Sequence, residues 1–177
     1  MVGTTSLSSL GHRDILVREG IHPPETLRVD GAAEVYPGFA LTSEGHTFPD
    51  VAKPDAAGDS VTGVAGLLEN QDIDTVYADD AEIPVYLCGS GAIVWCYHGL
   101  NDGSIVKGDI LCASAGNDTG YVRPFSKALH DVVDAGSAGG PTVLATQILC
   151  LFTLMGRAME THASTGTTVT IKVLLSI

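Results

Sequence analysis

Met155-Gly156-Arg157-Ala158-Met159-Glu160, then Ser164-Thr165-Gly166-Thr167-Thr168, then Val169-Thr170-Ile171-Lys172-Val173-Leu174-Leu175: this closing phrase decides the fold. A small residue lets a neighbouring backbone pass close, a Gly-containing turn follows, and an apolar strand ends the unit. A shorter version lies upstream, where Val61-Thr62-Gly63-Val64-Ala65-Gly66 precedes an acidic turn and another strand. Such phrases build barrels out of short strands.

Working outward, the residues between the two phrases are the most strongly β of the chain. Ile83, Val85, Tyr86, Ile93, Val94, Trp95 and Tyr97 are β-branched or aromatic and fit a pleated surface, and Pro84 stands near a strand start, where a missing N–H is tolerated. Gly89-Ser90-Gly91 separates two strands; Val106-Lys107-Gly108-Asp109 turns into Ile110-Leu111; Gly120-Tyr121-Val122 opens another strand. Taken in order, strand, Gly-Ser-Gly, strand, Val-Lys-Gly-Asp turn, strand, Gly-Tyr-Val strand and the Gly156-Arg157-Ala158-Met159-Glu160 strand, the chain resembles the small capsid-cement or head-decoration proteins of tailed viruses. The resemblance covers roughly residues 60 to 177, and its most specific piece is Gly156 to Glu160 with the terminal strand.

The resulting expectation is an all-β, or mainly β, single domain: a small β-barrel of β-clip or β-tulip type over residues 31–177, with an extended N-terminal arm over residues 1–30. The resemblance implies a structural virion protein on the capsid outer surface, a homotrimer that cements neighbouring subunits of the major capsid protein. The alternatives are a head-associated turret, or a receptor- or carbohydrate-binding β-module. A further rival is a trimeric β-clip nucleotide pyrophosphatase. Against it, Ile73-Asp74-Thr75-Val76-Tyr77 lacks the Arg-Gly that follows the Asp and aromatic of that signature.

Composition narrows the function classes. Nine basic against 21 acidic side chains give a net charge of -12, the wrong sign for neutralising phosphates, so no nucleic-acid partner is expected. The same surface keeps a protein soluble and would suit a high-salt habitat. Met1 to Leu10 has neither a basic start nor an apolar run of signal-peptide length, so export by that route is not expected. The apolar run Thr142 to Met155 is shorter than the roughly 20 residues of a spanning helix and reads as a strand or a helix buried in protein, not as a membrane segment.

The chemistry-bearing residues form no convincing constellation. Cys88, Cys96, Cys112 and Cys150 lie in apolar stretches without C-x-x-C spacing and read as buried reduced thiols. Cys96 and His98 share a strand face, but a structural zinc needs about four ligands. Glu69, Asp72, Asp74, Asp79, Asp80 and Glu82 do not follow the EF-hand pattern and read as a solvated acidic loop. His130-Asp131 with Ser137 lacks the Gly-x-Ser-x-Gly elbow of a hydrolase. No enzyme activity, catalytic residue, cofactor or metal is expected.

Two groups of contact residues stand out instead. In the arm, Ile15, Leu16 and Val17 with the stiff His22-Pro23-Pro24 segment offer an extended edge for the capsid, with an unstructured terminus as the alternative. Trp95, Leu151, Phe152 and Leu174 are the candidate subunit interface, Trp95 as the single tryptophan and the others as apolar residues one subunit has limited core to cover.

Overall fold

The computed structural model describes residues 15–30, 34–43, 45–54, 59–69, 71–99, 103–114, 119–125, 154–163 and 169–176. Everything regular in these residues is β. The strands are β1 (Leu16–Arg18), β2 (Glu25–Val29), β3 (Ala40–Leu41), β4 (Asp50–Val51), β5 (Gly63–Ala65), β6 (Glu82–Leu87), β7 (Ile93–His98), β8 (Ile110–Ala113), β9 (Val122–Pro124), β10 (Leu154–Ala158) and β11 (Val169–Leu174).

One sheet has the order β1-β7-β11-β10-β8-β9, and a parallel pairing of His98 with Val122 returns β9 to β7. Strands β7, β11, β10, β8 and β9 therefore close into a barrel, which leaves none of them as a free edge over that ladder. The longest ladder sets β11 against β7 in unbroken antiparallel register from Val169↔His98 to Leu174↔Ile93. Gly156 sits where the β10–β8 register shifts, and a Cβ there would run into the carbonyl oxygen of Leu174. The close approach read from the closing phrase is thus a β-bulge beside the terminal strand.

The second sheet, β3-β5-β6-β2-β4, curves into a half-barrel. Its outer strands are tied by reciprocal backbone bonds between Thr42 and Ala52, 2.8 and 2.9 Å long. Alternation along β3 and β5 joins the two lobes. Ala40 and Val64 point into the barrel core with Val94, Cys96, Leu111, Met155, Ile171 and Val173, whereas Leu41 and Ala65, one residue on, point into the half-barrel core with Leu27, Val29, Ile83 and Val85. A strand with both faces in a core has no polar face. This is why Gly63-Val64-Ala65 is wholly buried.

Two stretches of the N-terminal segment, Leu16–Arg18 and Glu25–Val29, lie within these sheets, joined by the irregular residues 19–24. Ile15 is 1% exposed in the barrel core, Leu16 pairs with Val94, and Glu25–Val29 lies between β6 and β4, with Leu27 and Val29 buried. The reason is an edge that needs covering: β1 takes the N-terminal end of one side of β7, Gly38 accepts from the Tyr97 N–H further along it, and β9 takes the C-terminal end. Glu34-Val35-Tyr36 is irregular backbone despite its β-branched and aromatic residues, and its Val35 carbonyl accepts from the Tyr77 N–H.

Candidate functional site

Where the lobes meet, four aromatic rings gather from three distant segments. Tyr36 and Phe39 flank the Pro37-Gly38 turn, Tyr97 is on β7, and Tyr121 precedes β9. Tyr97 and Tyr121 stack with centroids 5.5 Å apart and planes 16° from parallel, while Phe39 meets each nearly edge-on at 5.2 Å. Tyr36 lies 5.3 Å from Phe39. These are the spacings at which ring quadrupoles attract, adding to area burial.

Glycine backbone makes the cluster possible. Gly120 has φ of 87°, and a Cβ there would overlap the Phe39 ring. Its carbonyl accepts from the Ala40 N–H at 2.7 Å, which fixes the 119–121 turn of the barrel against β3 of the half-barrel.

The acidic loop supplies polar lining. It is not simply a solvated face: Ile73 is buried in the barrel core and Tyr77 in the half-barrel core, where the Tyr77 hydroxyl donates to the Gly66 carbonyl. Pinned at both points, the loop holds exposed Asp74 at the aromatic cluster. The result is a cleft of about 350 Å³ whose walls are the four rings together with Glu34, Lys53, Asp74 and Thr119. Burial pushes the Tyr97 hydroxyl well above the ordinary tyrosine value, and the charges of Asp74, Tyr121 and Tyr36 add to the shift. Tyr97 is therefore a neutral phenol at any physiological pH, and the cleft carries two carboxylates against one ammonium.

The expected contact residues lie elsewhere. Ile15 is core and Leu16 packs against it; Val17 is 43% exposed, and His22, Pro23 and Pro24 are exposed. Trp95 is half-buried with Lys172 over its ring, and Leu174 is half-buried on β11 opposite Arg157. Leu151 and Phe152 fall outside the described residues, as do Cys150, His130, Asp131, Ser137 and all of the Thr142 to Met155 run before Leu154.

Among the described residues no group of three or more His, Cys, Asp or Glu side chains is placed to hold a metal ion. His98 is buried on β7 and faces His162 edge-on at 5.7 Å. Cys88, Cys96 and Cys112 form no disulfide, and the Cys112 thiol donates to the Arg123 carbonyl at 3.7 Å. Gly89-Ser90-Gly91 is a turn with both glycines at positive φ, and the Ser90 hydroxyl accepts from the Ala92 N–H. It is occupied with closing its own loop.

Sequence reasoning missed the aromatic cleft because no spacing announces it. The local signals were turn dipeptides beside aromatics, Gly38-Phe39 and Gly120-Tyr121, and only the β7–β9 pairing with the backbone bonds from Ala40 to Gly120 and from Tyr97 to Gly38 brings them together. No family model matches the chain, and no curated protein sequence is significantly similar to it.

Proposed function

We propose that this chain is a structural accessory protein of a tailed-virus head: a homotrimer on the capsid outer surface that cements neighbouring major-capsid subunits. The observation that carries the reading is the contact between the most specific piece of the resemblance, Gly156 to Glu160 with the terminal strand, and the Val-Lys-Gly-Asp turn that precedes it in the order. The Val106-Lys107-Gly108-Asp109 turn closes on itself through Val106 N–H to Asp109 Oδ2 at 2.8 Å and docks on the end of β10. There Gly108 N–H donates to the Ala158 carbonyl, Ala158 N–H to the Asp109 carbonyl, Lys107 N–H to Thr161 Oγ1, and Arg157 Nη1 to the Gly108 carbonyl. Glu160 then accepts from the Lys172 N–H of the terminal strand. Pieces far apart in sequence thus form one structural unit, which supports reading them together.

Exposed apolar side chains add support. Ile21 and Phe48 are 83% and 81% exposed, and Val106 and Ile110 stand out beside the Lys107-Gly108 turn. A trimer presenting three such sets to a lattice gains avidity that one weak contact lacks. The test is to add the purified chain to capsids that lack it and image them after sedimentation. Regular surface density at symmetry-related positions, with greater resistance of the capsid to heat, is the expected result. Capsids that remain bare at saturating protein overturn the reading.

A further inference from the structure

The cleft lies beside the β7–β9 closure, where Tyr97 and Tyr121 neighbour the His98–Val122 pair, and its lining is chemically selective. The stacked pair Tyr97 and Tyr121 cover a face of each other and Phe39 abuts both, so the rings offer little open platform of the kind a sugar needs. What the cleft concentrates is acceptor oxygen, from the Glu34 and Asp74 carboxylates and the tyrosine hydroxyls, next to aromatic carbon. Anionic ligands meet two carboxylates here and a chain charge of -12. A planar cation with several N–H donors and a weakly hydrated face meets two carboxylates and aromatic carbon here, with Lys53 as the opposing charge.

We infer that this cleft receives an arginine side chain presented by the protein partner, with Asp74 and Glu34 accepting its guanidinium N–H groups and the half-buried Tyr36 and Tyr121 beside it. The volume, about 350 Å³, is that of a side-chain pocket at the small end of ligand sites and not of a groove for a folded segment. Arginine suits a site with several acceptor oxygens better than lysine because its guanidinium presents five donors in one plane and is more weakly hydrated. Lys53 is the internal counterweight: it repels a guest cation, so its removal strengthens binding, whereas for an anionic guest its removal would weaken it. This inference rests on the accessory-protein reading only for the identity of the partner; the cleft's preference for guanidinium stands on its own lining.

The experiment titrates the full chain with N-acetyl-arginine methylamide by NMR, in parallel with the uncharged citrulline and the lysine analogues. The arginine compound is expected to bind and to shift the Tyr97 and Tyr121 ring signals. The citrulline compound, of nearly equal shape, is expected to bind at least about tenfold more weakly, as is the arginine compound to Asp74→Asn, the loss of a charge-assisted hydrogen bond. Asp74 and Glu34 are exposed, so neither amide substitution disturbs the fold. Lys53→Met is expected to tighten binding. Equal binding of citrulline and arginine, binding unchanged in Asp74→Asn, weakening in Lys53→Met, or binding of a neutral oligosaccharide in place of arginine each overturns the inference. On capsids, Asp74→Asn that decorates as well as the wild type overturns the cleft's role in attachment and leaves the accessory reading standing. A wild type that leaves capsids bare overturns that reading, and the arginine titration still decides the cleft.

Discussion

Lys172 and Trp95 are register partners on β11 and β7, and the Lys172 ammonium lies 4.7 Å from the centre of the Trp95 ring. Its other neighbour is the Glu160 carboxylate at 3.7 Å, so one side chain links the end of β10, the terminal strand and the single tryptophan. Lys172→Ala is expected to cost about 0.5–1 kcal/mol, the worth of a partly exposed cation–π contact. It should also change the tryptophan emission. Urea unfolding followed by that emission measures both, and an unaltered midpoint and spectrum would show the contact to be idle.

Gly120→Ala tests the seam between the lobes. The substitution forces a Cβ into the Phe39 ring at a φ of 87°. Left-handed backbone strain alone costs of order 1–3 kcal/mol, and the displaced ring adds to it. The expected signature is lower stability together with loss of the near-ultraviolet circular dichroism of the stacked tyrosines. Gly45→Ala is the control, since it carries a similar φ with nothing within 4 Å of the added carbon.

Ile15→Ala should destabilise the barrel by about 2–4 kcal/mol, as expected for truncating a fully buried aliphatic side chain. Ile15 is 1% exposed, and its carbonyl accepts from the Trp95 N–H at 2.8 Å. Val17→Ala, at a 43% exposed site of the same segment, should change stability by less than about 0.5 kcal/mol. Thermal unfolding of the two variants separates a segment that closes its own sheet from one that merely trails off it.

Arg28 and Asp50 face each other across β2 and β4 with two hydrogen bonds, Nε to Oδ1 at 2.6 Å and Nη2 to Oδ2 at 3.0 Å. The side-chain bond to the Arg28 guanidinium holds the Asp50 carboxyl below its ordinary value. A depressed folded-state value means that the stabilisation is complete above the unfolded-chain value near 4 and is lost as pH falls through the folded value. Stability measured from pH 6 down to pH 2 should therefore decline in the wild type and less steeply in Asp50→Asn. Parallel curves would exclude the pair as a contributor.

Burial pushes the Cys88 thiol up to about 12 and raises that of Cys96 as well, with Cys88 contributing. A raised thiol value favours the neutral folded form. Its contribution is present below the unfolded value near 8.5 and fades as pH rises from there toward the folded value. Alkylation at pH 8, mapped by peptide mass spectrometry, should be far slower in the folded chain than in denaturant at these cysteines. Cys88, at the surface end of β6, should react before Cys96 and Cys112; rapid labelling of Cys96 in the native protein would contradict its burial.

Their β-branched, aromatic and other apolar residues made Glu82–Leu87, Ile93–His98 and Val169–Leu174 legible as strands, because strand propensity is a local property. Gly156 was legible for a related reason: a small residue inside an apolar strand marks a place where another backbone comes close. The acidic loop was half legible. Its charges showed, but Ile73 and Tyr77, the two residues that pin it, are single apolar positions whose burial depends on cores built elsewhere in the chain.

The sequence by itself determined an all-β chain of short strands with glycine turns and an acidic surface, since strand propensity, turn chemistry and charge are written residue by residue. Only the tertiary structure decided that residues 15–18 and 25–29 belong to the sheets, and that Gly63–Ala65 stands between two cores. It alone decided that Tyr36, Phe39, Tyr97 and Tyr121 share one cleft with Asp74. The physical reason is that these outcomes depend on which edges are left to pair once the barrel closes, a non-local constraint that no window of sequence contains.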